Sequence, residues 1–164
     1  MRSHGRIFRR RRRPARRGAH HTDCVAVRRR ILVVEDDFST RHLLGVILNA
    51  RGYEVALAND AEGGLRILRE GKVNLILLDL LLPGASGIDF LRSRRQLDRT
   101  MQAPVIVVSA VQEIDALRPQ LRELGASDAV RKPFNMEQLL ASVEKHVRKG
   151  RPRAVRPAGV ALPV

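Results

Sequence analysis

The sequence predicts an α/β fold: a parallel sheet with helices on both faces. Three observations predict it. Several short runs are wholly aliphatic and bounded by charged or turn residues, among them Ile31-Leu32-Val33-Val34, Leu75-Ile76-Leu77-Leu78 and Val105-Ile106-Val107-Val108. Such runs are strands buried on both faces, the habit of parallel rather than antiparallel sheet. Between them lie segments with apolar residues at helical spacing, so strands and helices alternate and are joined by crossovers. The 164 residues, 44% apolar, suffice for one core, and with aromatics at 3% that core must be aliphatic.

Each element can be justified in order. Ile31 to Val34 is the first strand and ends at three acids, Glu35, Asp36 and Asp37. Ser39 or a neighbour caps a helix carrying Leu43, Leu44, Ile47 and Leu48, which stops near Gly52. Asp37 is read as a solvated or helix-starting acid. Glu54 to Ala58 is the second strand. Asn59-Asp60-Ala61-Glu62 resembles a capping box and opens a helix with Leu65, Ile67 and Leu68, ending near Gly71. Residues 74–78 form the third strand, which climbs to Asp79 and a Pro83-Gly84 break. A third helix holds Ile88, Phe90 and Leu91. The fourth strand ends at Ser109-Ala110. A fourth helix lies within 112–124, where Pro119 would cost about 3 kcal/mol in a helix interior. A start near Arg118, with Pro119 in the first turn, avoids that cost. Asp128-Ala129-Val130 is a short last strand, and Asn135-Met136-Glu137-Gln138 opens a final helix through Val147. Five such units predict the flavodoxin-like order 2-1-3-4-5, whose switch point lies between strands 1 and 3.

The net charge of +14 is unevenly spread. Residues 1–30 hold twelve arginines against one acid, Asp23, and residues 148–156 hold five basic residues and no acid. The stretch between is slightly acidic. Residues 1–30 and 148–164 are therefore expected to be basic, disordered extensions around a folded domain at 31–147. The first extension has three readings: a solvated tail, a start codon assigned upstream of Val25 or Val27, or an arm for anionic surfaces or nucleic acid. The basic tails are the only segments expected to bind nucleic acid. His20, His21 and Cys24 lack a fourth ligand and are read as tail residues. A single cysteine excludes an internal disulfide and fits a reducing cytoplasm. No apolar run approaches the roughly 20 residues of a membrane span, so no membrane insertion is expected.

The strand ends gather chemistry. A carboxylate at the end of a buried strand costs several kcal/mol, roughly, unless it is exposed, paired or metal-bound. Ligands of open α/β sheets bind at these carboxyl ends. Glu35 and Asp36 on strand 1, Asp79 on strand 3, Ser109 on strand 4 and Lys132 after strand 5 converge there. Packed carboxylates require a cation, and a hard divalent ion such as Mg²⁺ suits oxygen ligands and a shared phosphate. Asp79 would attack a phosphoryl group, while the metal and Lys132 neutralise charge in the transition state.

Ile31-Leu32-Val33-Val34-Glu35-Asp36-Asp37, Leu78-Asp79 with Leu82-Pro83 and Gly87, Val107-Val108-Ser109-Ala110, and Gly125-Ala126 through Lys132-Pro133-Phe134 together resemble the receiver domain of two-component response regulators, the CheY-like family, over about 31–147. The resemblance implies that Asp79 takes a phosphoryl group from a histidine of a sensor kinase or a histidine phosphotransfer protein. It implies Mg²⁺ held by Glu35, Asp36, Asp79 and the backbone carbonyl of Leu81. Ser109, Ala110 and Lys132 would bind the phosphoryl group, with small Ala110 also leaving the site open, and Lys132-Pro133 would be cis. About 15 residues follow the last helix, too few for an output domain, so a stand-alone receiver acting on a downstream protein target is expected.

Two departures matter. The switch positions of the family correspond to Ser109 and Ala129, and Ala129 stands where an aromatic ring is usual. With Pro119, it predicts a different or weaker coupling to the usual output face of helix 4, strand 5 and helix 5. Leu81 and Val111 are aliphatic where polar residues tend to place an attacking water, which predicts slow self-dephosphorylation and no enzymatic turnover. An aspartyl phosphatase or phosphotransferase would carry a second Asp at position 81. A degenerate receiver is disfavoured because every chemical residue is present.

Overall fold

The computed structural model describes residues 28–98 and 103–147. Strands and helices alternate as β1 (Arg30–Val34), α1 (Phe38–Ala50), β2 (Glu54–Ala58), α2 (Ala61–Glu70), β3 (Leu75–Leu78), α3 (Gly87–Arg94), β4 (Val105–Ser109), α4 (Ile114–Glu123), β5 (Asp128–Arg131) and α5 (Met136–Val147). All paired strands are parallel, in the order β2-β1-β3-β4-β5 that the sequence predicts.

The aliphatic strand runs divide by alternation into two cores. Leu32, Val34, Ile76, Leu78, Val105 and Val107 meet Ala61 and Leu68 of α2, Phe90 and Leu91 of α3, and Ile114 and Leu121 of α4. Ile31, Val33, Leu75, Leu77, Ile106 and Val108 meet Leu44 and Leu48 of α1 and Leu139, Val143 and Val147 of α5. Each fully buried aliphatic side chain contributes about 1.5–3 kcal/mol, so the sheet is held from both sides. That rigidity fixes its carboxyl edge.

Element ends correct several expectations. β1 takes in Arg30, whose backbone N–H donates to Asn74 Oδ1 at 2.8 Å and whose Nε lies 3.1 Å from Glu54. The first strand therefore begins one residue before Ile31. Residues 1–27 and 148–164, including His20, His21, Cys24 and most of the net positive charge, lie outside the described residues. Asp37, not Ser39, caps α1, its carboxylate accepting from Thr40 N at 2.7 Å. Asp60, not Asn59, caps α2 through Gly63 N at 2.6 Å. In both, the acid directly before the first helical residue is best placed to reach an unpaired N–H. A reciprocal capping box does form at Ser86 and Asp89, opening α3. Gly52, with φ of 84°, terminates α1 as its position suggests.

The largest correction concerns Pro119. It lies inside α4 rather than in its first turn. The helix bond from residue 119 to the Asp115 carbonyl cannot form, yet Leu117 N donates to Glu113 O and Leu124 N to Gln120 O, both at 3.0 Å. Ile114 and Leu121 are both buried in the core. Their burial holds the helix through a local defect. No helix among the described residues is long and apolar enough to cross a membrane.

Candidate functional site

The backbone ladder carries the site residues past the strand ends. Glu35 N donates to Ala58 O at 3.0 Å, Asp79 N to Val34 O at 2.9 Å, and Lys132 N to Ser109 O at 2.8 Å. Their side chains therefore start from positions fixed by the sheet. Gly87 fixes the next turn, because a Cβ there would collide with the carbonyl oxygen of Asp79 and with Leu80 Cα. Its N–H donates to Leu80 O at 3.0 Å, seating α3 directly on the chain that bears Asp79.

Asp79 is 4% exposed, Glu35 2% and Ser109 fully buried. Ser109 Oγ donates to Asp79 Oδ1 at 2.6 Å, and the Leu81 N–H donates to the same oxygen at 3.0 Å. Lys132 Nζ donates to Asp79 Oδ2 at 2.5 Å and to both Glu35 oxygens, at 2.9 and 2.7 Å. One ammonium thus serves two buried carboxylates. Burial opposes its charge, but the bonds to Asp79 and Glu35 outweigh burial and raise the Lys132 pKa, so it stays cationic. Glu35 is pushed up, chiefly by burial and also by the Asp79 charge, against the lowering effect of Lys132.

The donor set fits a second cation. Carboxylate oxygens of Glu35, Asp36 and Asp79 lie within 4.8 Å of one another, with Asp36 at the exposed side. Two ligands across an octahedral Mg²⁺ are about 4.2 Å apart, and all three donors are hard oxygens. The constellation expected from the sequence is therefore brought together: Glu35, Asp36, Asp79, Ser109 and Lys132 share one pocket. Ala110 follows at an exposed position, and the Lys132-Pro133 bond is cis. The Leu81 side chain is 55% exposed, and Val111 is partly buried against the core. Asp37 is the helix cap and sits outside the acid cluster.

Ala129 is buried on β5 opposite Val107. Arg118, Leu121 and Ala126 close around it, leaving a void of about 10 Å³. The adjoining seam is polar. Arg118 bonds Asp115 at 2.8 Å and Asp128 at 3.4 Å, Ser142 Oγ donates to Asp128 Oδ2 at 2.7 Å, and His146 Nδ1 lies 2.8 Å from Ser142 O. This chain of contacts joins α4, β5 and α5.

Sequence reasoning missed Arg41. Its Nη1 donates to the carbonyls of Glu35 at 2.6 Å and Asp36 at 2.9 Å. A basic residue in the first turn of the helix after the acids was the only signal, since carbonyl acceptors leave no sequence trace.

Known proteins are similar to this chain in sequence and fold. The family profile "Response regulator receiver domain" matches residues 31–144. The phosphate regulon transcriptional regulatory protein PhoB of Escherichia coli is 37% identical over 128 residues, covering 77% of this chain and 55% of PhoB. The chain thus spans about half the length of the curated relatives it matches. Among solved structures, a CheY-like response regulator receiver domain protein from Methanospirillum hungatei superposes with a TM-score of 0.68 at 28% identity, covering 75% of this chain and 96% of that one. Response regulator protein TrrA from Thermotoga maritima, in complex with Mg²⁺-BeF, gives a TM-score of 0.62 at 32% identity, covering 71% and 97%.

Proposed function

Since the chain belongs to the response regulator receiver domain family, we propose that Asp79 is its phosphoryl acceptor. The observation that carries this is the paired engagement of one buried carboxylate: Ser109 on one oxygen and Lys132 on the other, beside Glu35 and Asp36. A carboxylate oxygen of Asp79 attacks the phosphorus of a phosphohistidine on a sensor kinase or phosphotransfer protein. The P–N bond breaks, its electrons return to the imidazole, and an acyl phosphate remains on Asp79. Lys132 and Ser109 hold the phosphoryl oxygens, and exposed Ala110 leaves the approach open. Glu35, Asp36, Asp79 and the Leu81 carbonyl would hold Mg²⁺. The chemistry bound Mg²⁺ supplies is neutralisation of charge on these oxygens. Residues 31–147 act as the receiver, the basic segments are extensions, and the protein works in the cytoplasm on a downstream protein target.

The test is incubation with Mg²⁺ and acetyl phosphate, read by intact-mass spectrometry. The native chain gains one phosphoryl group and Asp79→Ala gains none. An unmodified native chain, or a modified variant, overturns the reading. The same sample tests signal lifetime. Aliphatic Leu81 and Val111 offer no hydrogen bond to an attacking water, so the phosphoryl group is lost slowly. Introducing Asn at position 81 should shorten its half-life, and an unchanged half-life removes that role from Leu81.

A further inference from the structure

The loop that presents Glu35 and Asp36 leaves the sheet after the bond from Glu35 N to Ala58 O. Beyond it, two contacts from α1 hold the chain: the Asp37 cap on Thr40 N, and Arg41, whose Nη1 bridges the carbonyls of Glu35 and Asp36 at 2.6 and 2.9 Å. Those carbonyls belong to the peptide units flanking the Asp36 side chain, so fixing them fixes where it points. Arg41 forms no carboxylate ion pair among the described residues. Its guanidinium instead lies 5.7 Å from the centroid of the Phe38 ring, which stacks on His42 at 5.7 Å and an interplanar angle of 6°. Phe38 is 69% exposed, so core burial does not account for it. It backs the guanidinium and limits its rotation.

We infer that Arg41 is a positioning residue for the divalent-ion ligands, clamping the Glu35–Asp36 backbone from α1 with Phe38 as its support. The inference rests on the Mg²⁺ reading of the acid cluster. It makes a prediction of definite sign. A guanidinium near a metal site opposes the metal by its charge, so a purely electrostatic role means that removing it tightens Mg²⁺ binding, less so at high salt. A clamp means that removing it weakens binding at any salt.

The experiment is calorimetric titration of MgCl₂ into the full chain at low and high ionic strength. Arg41→Ala should weaken Mg²⁺ binding about tenfold, in line with other groups that orient metal ligands. Phe38→Ala should weaken it about threefold. Arg41→Lys retains the charge but loses the planar fork and falls between native and Arg41→Ala. Unchanged or tighter binding by Arg41→Ala overturns the inference. Thermal melts without metal establish that each variant folds. If Arg41→Ala does not fold, Phe38→Ala decides: weakened binding supports the clamp and native binding overturns it. A native chain that binds no Mg²⁺ overturns the metal site itself, an outcome distinct from native-like binding by the variants.

Discussion

The carboxyl edge of the sheet and the seam between α4, β5 and α5 use the same chemical parts at different depths. At the edge, Asp79, Glu35, Ser109 and Lys132 interact at 2.5–2.9 Å with both acids almost fully buried. At the seam, Asp115, Arg118 and Asp128 have side chains 72%, 37% and 31% exposed, and the link from Arg118 to Asp128 stretches to 3.4 Å. Water screens the second set and not the first. Breaking a buried charge pair leaves an uncompensated ion, whereas exposed pairs contribute about 0–1 kcal/mol. The comparison teaches that a substitution in the strand-end pocket exposes an unscreened charge, whereas one at the seam is compensated by water.

Three measurements can break or sharpen that contrast. The largest effect is expected at Lys132. Lys132→Met leaves Glu35 and Asp79 facing each other, and the metal-free protein should lose about 3 kcal/mol in urea unfolding. Mg²⁺ should restore part of the loss. If Lys132→Met costs no more than a seam variant, burial does not separate the two regions. Pro119→Ala comes next and should stabilise the protein, by roughly 1–3 kcal/mol, because it restores a helix bond on an exposed turn. A loss of stability would mean that the α4 backbone depends on the proline.

Asp128→Asn should have the smallest effect, about 1 kcal/mol. Burial works against the Asp128 carboxylate, but the bonds from Ser142 and the Ala129 N–H, with His146 and Arg118 nearby, hold its pKa below the ordinary 3.8. A depressed acid stabilises the fold above its unfolded pKa and loses that contribution as pH falls through the folded one. The difference between native and Asp128→Asn should therefore be full at neutral pH and vanish in acid below 3.8. A difference independent of pH would assign the effect to shape rather than charge.

The strands were legible because Ile31 to Val34, Leu75 to Leu78 and Val105 to Val108 admit little else, and their alternation set the two cores. The site was legible because Glu35, Asp36, Asp79 and Ser109 follow or end such strands, and Lys132 follows the shorter β5. What failed was local. The proline rule argues against a helix across residue 119, but burial of Ile114 and Leu121 outweighs one missing bond. Asn59 and Ser39 were plausible caps beside Asp60 and Asp37, and spacing alone does not rank adjacent candidates. The Ser86–Asp89 box carries Asp where the capping-box pattern has Glu or Gln, so spacing did not flag it. Arg41 was illegible because its partners are main-chain carbonyls.

Gly87 offers a steric control on Asp79. Its hydrogen is all that fits against the carbonyl of Asp79. Alanine there is a one-methyl wedge that displaces the strand end bearing Asp79 without altering any charge or hydrogen-bonding side chain. A graded series at this position would separate how well Asp79 is aimed from how strongly it is charged, a distinction that substitutions of Lys132 or Glu35 cannot make.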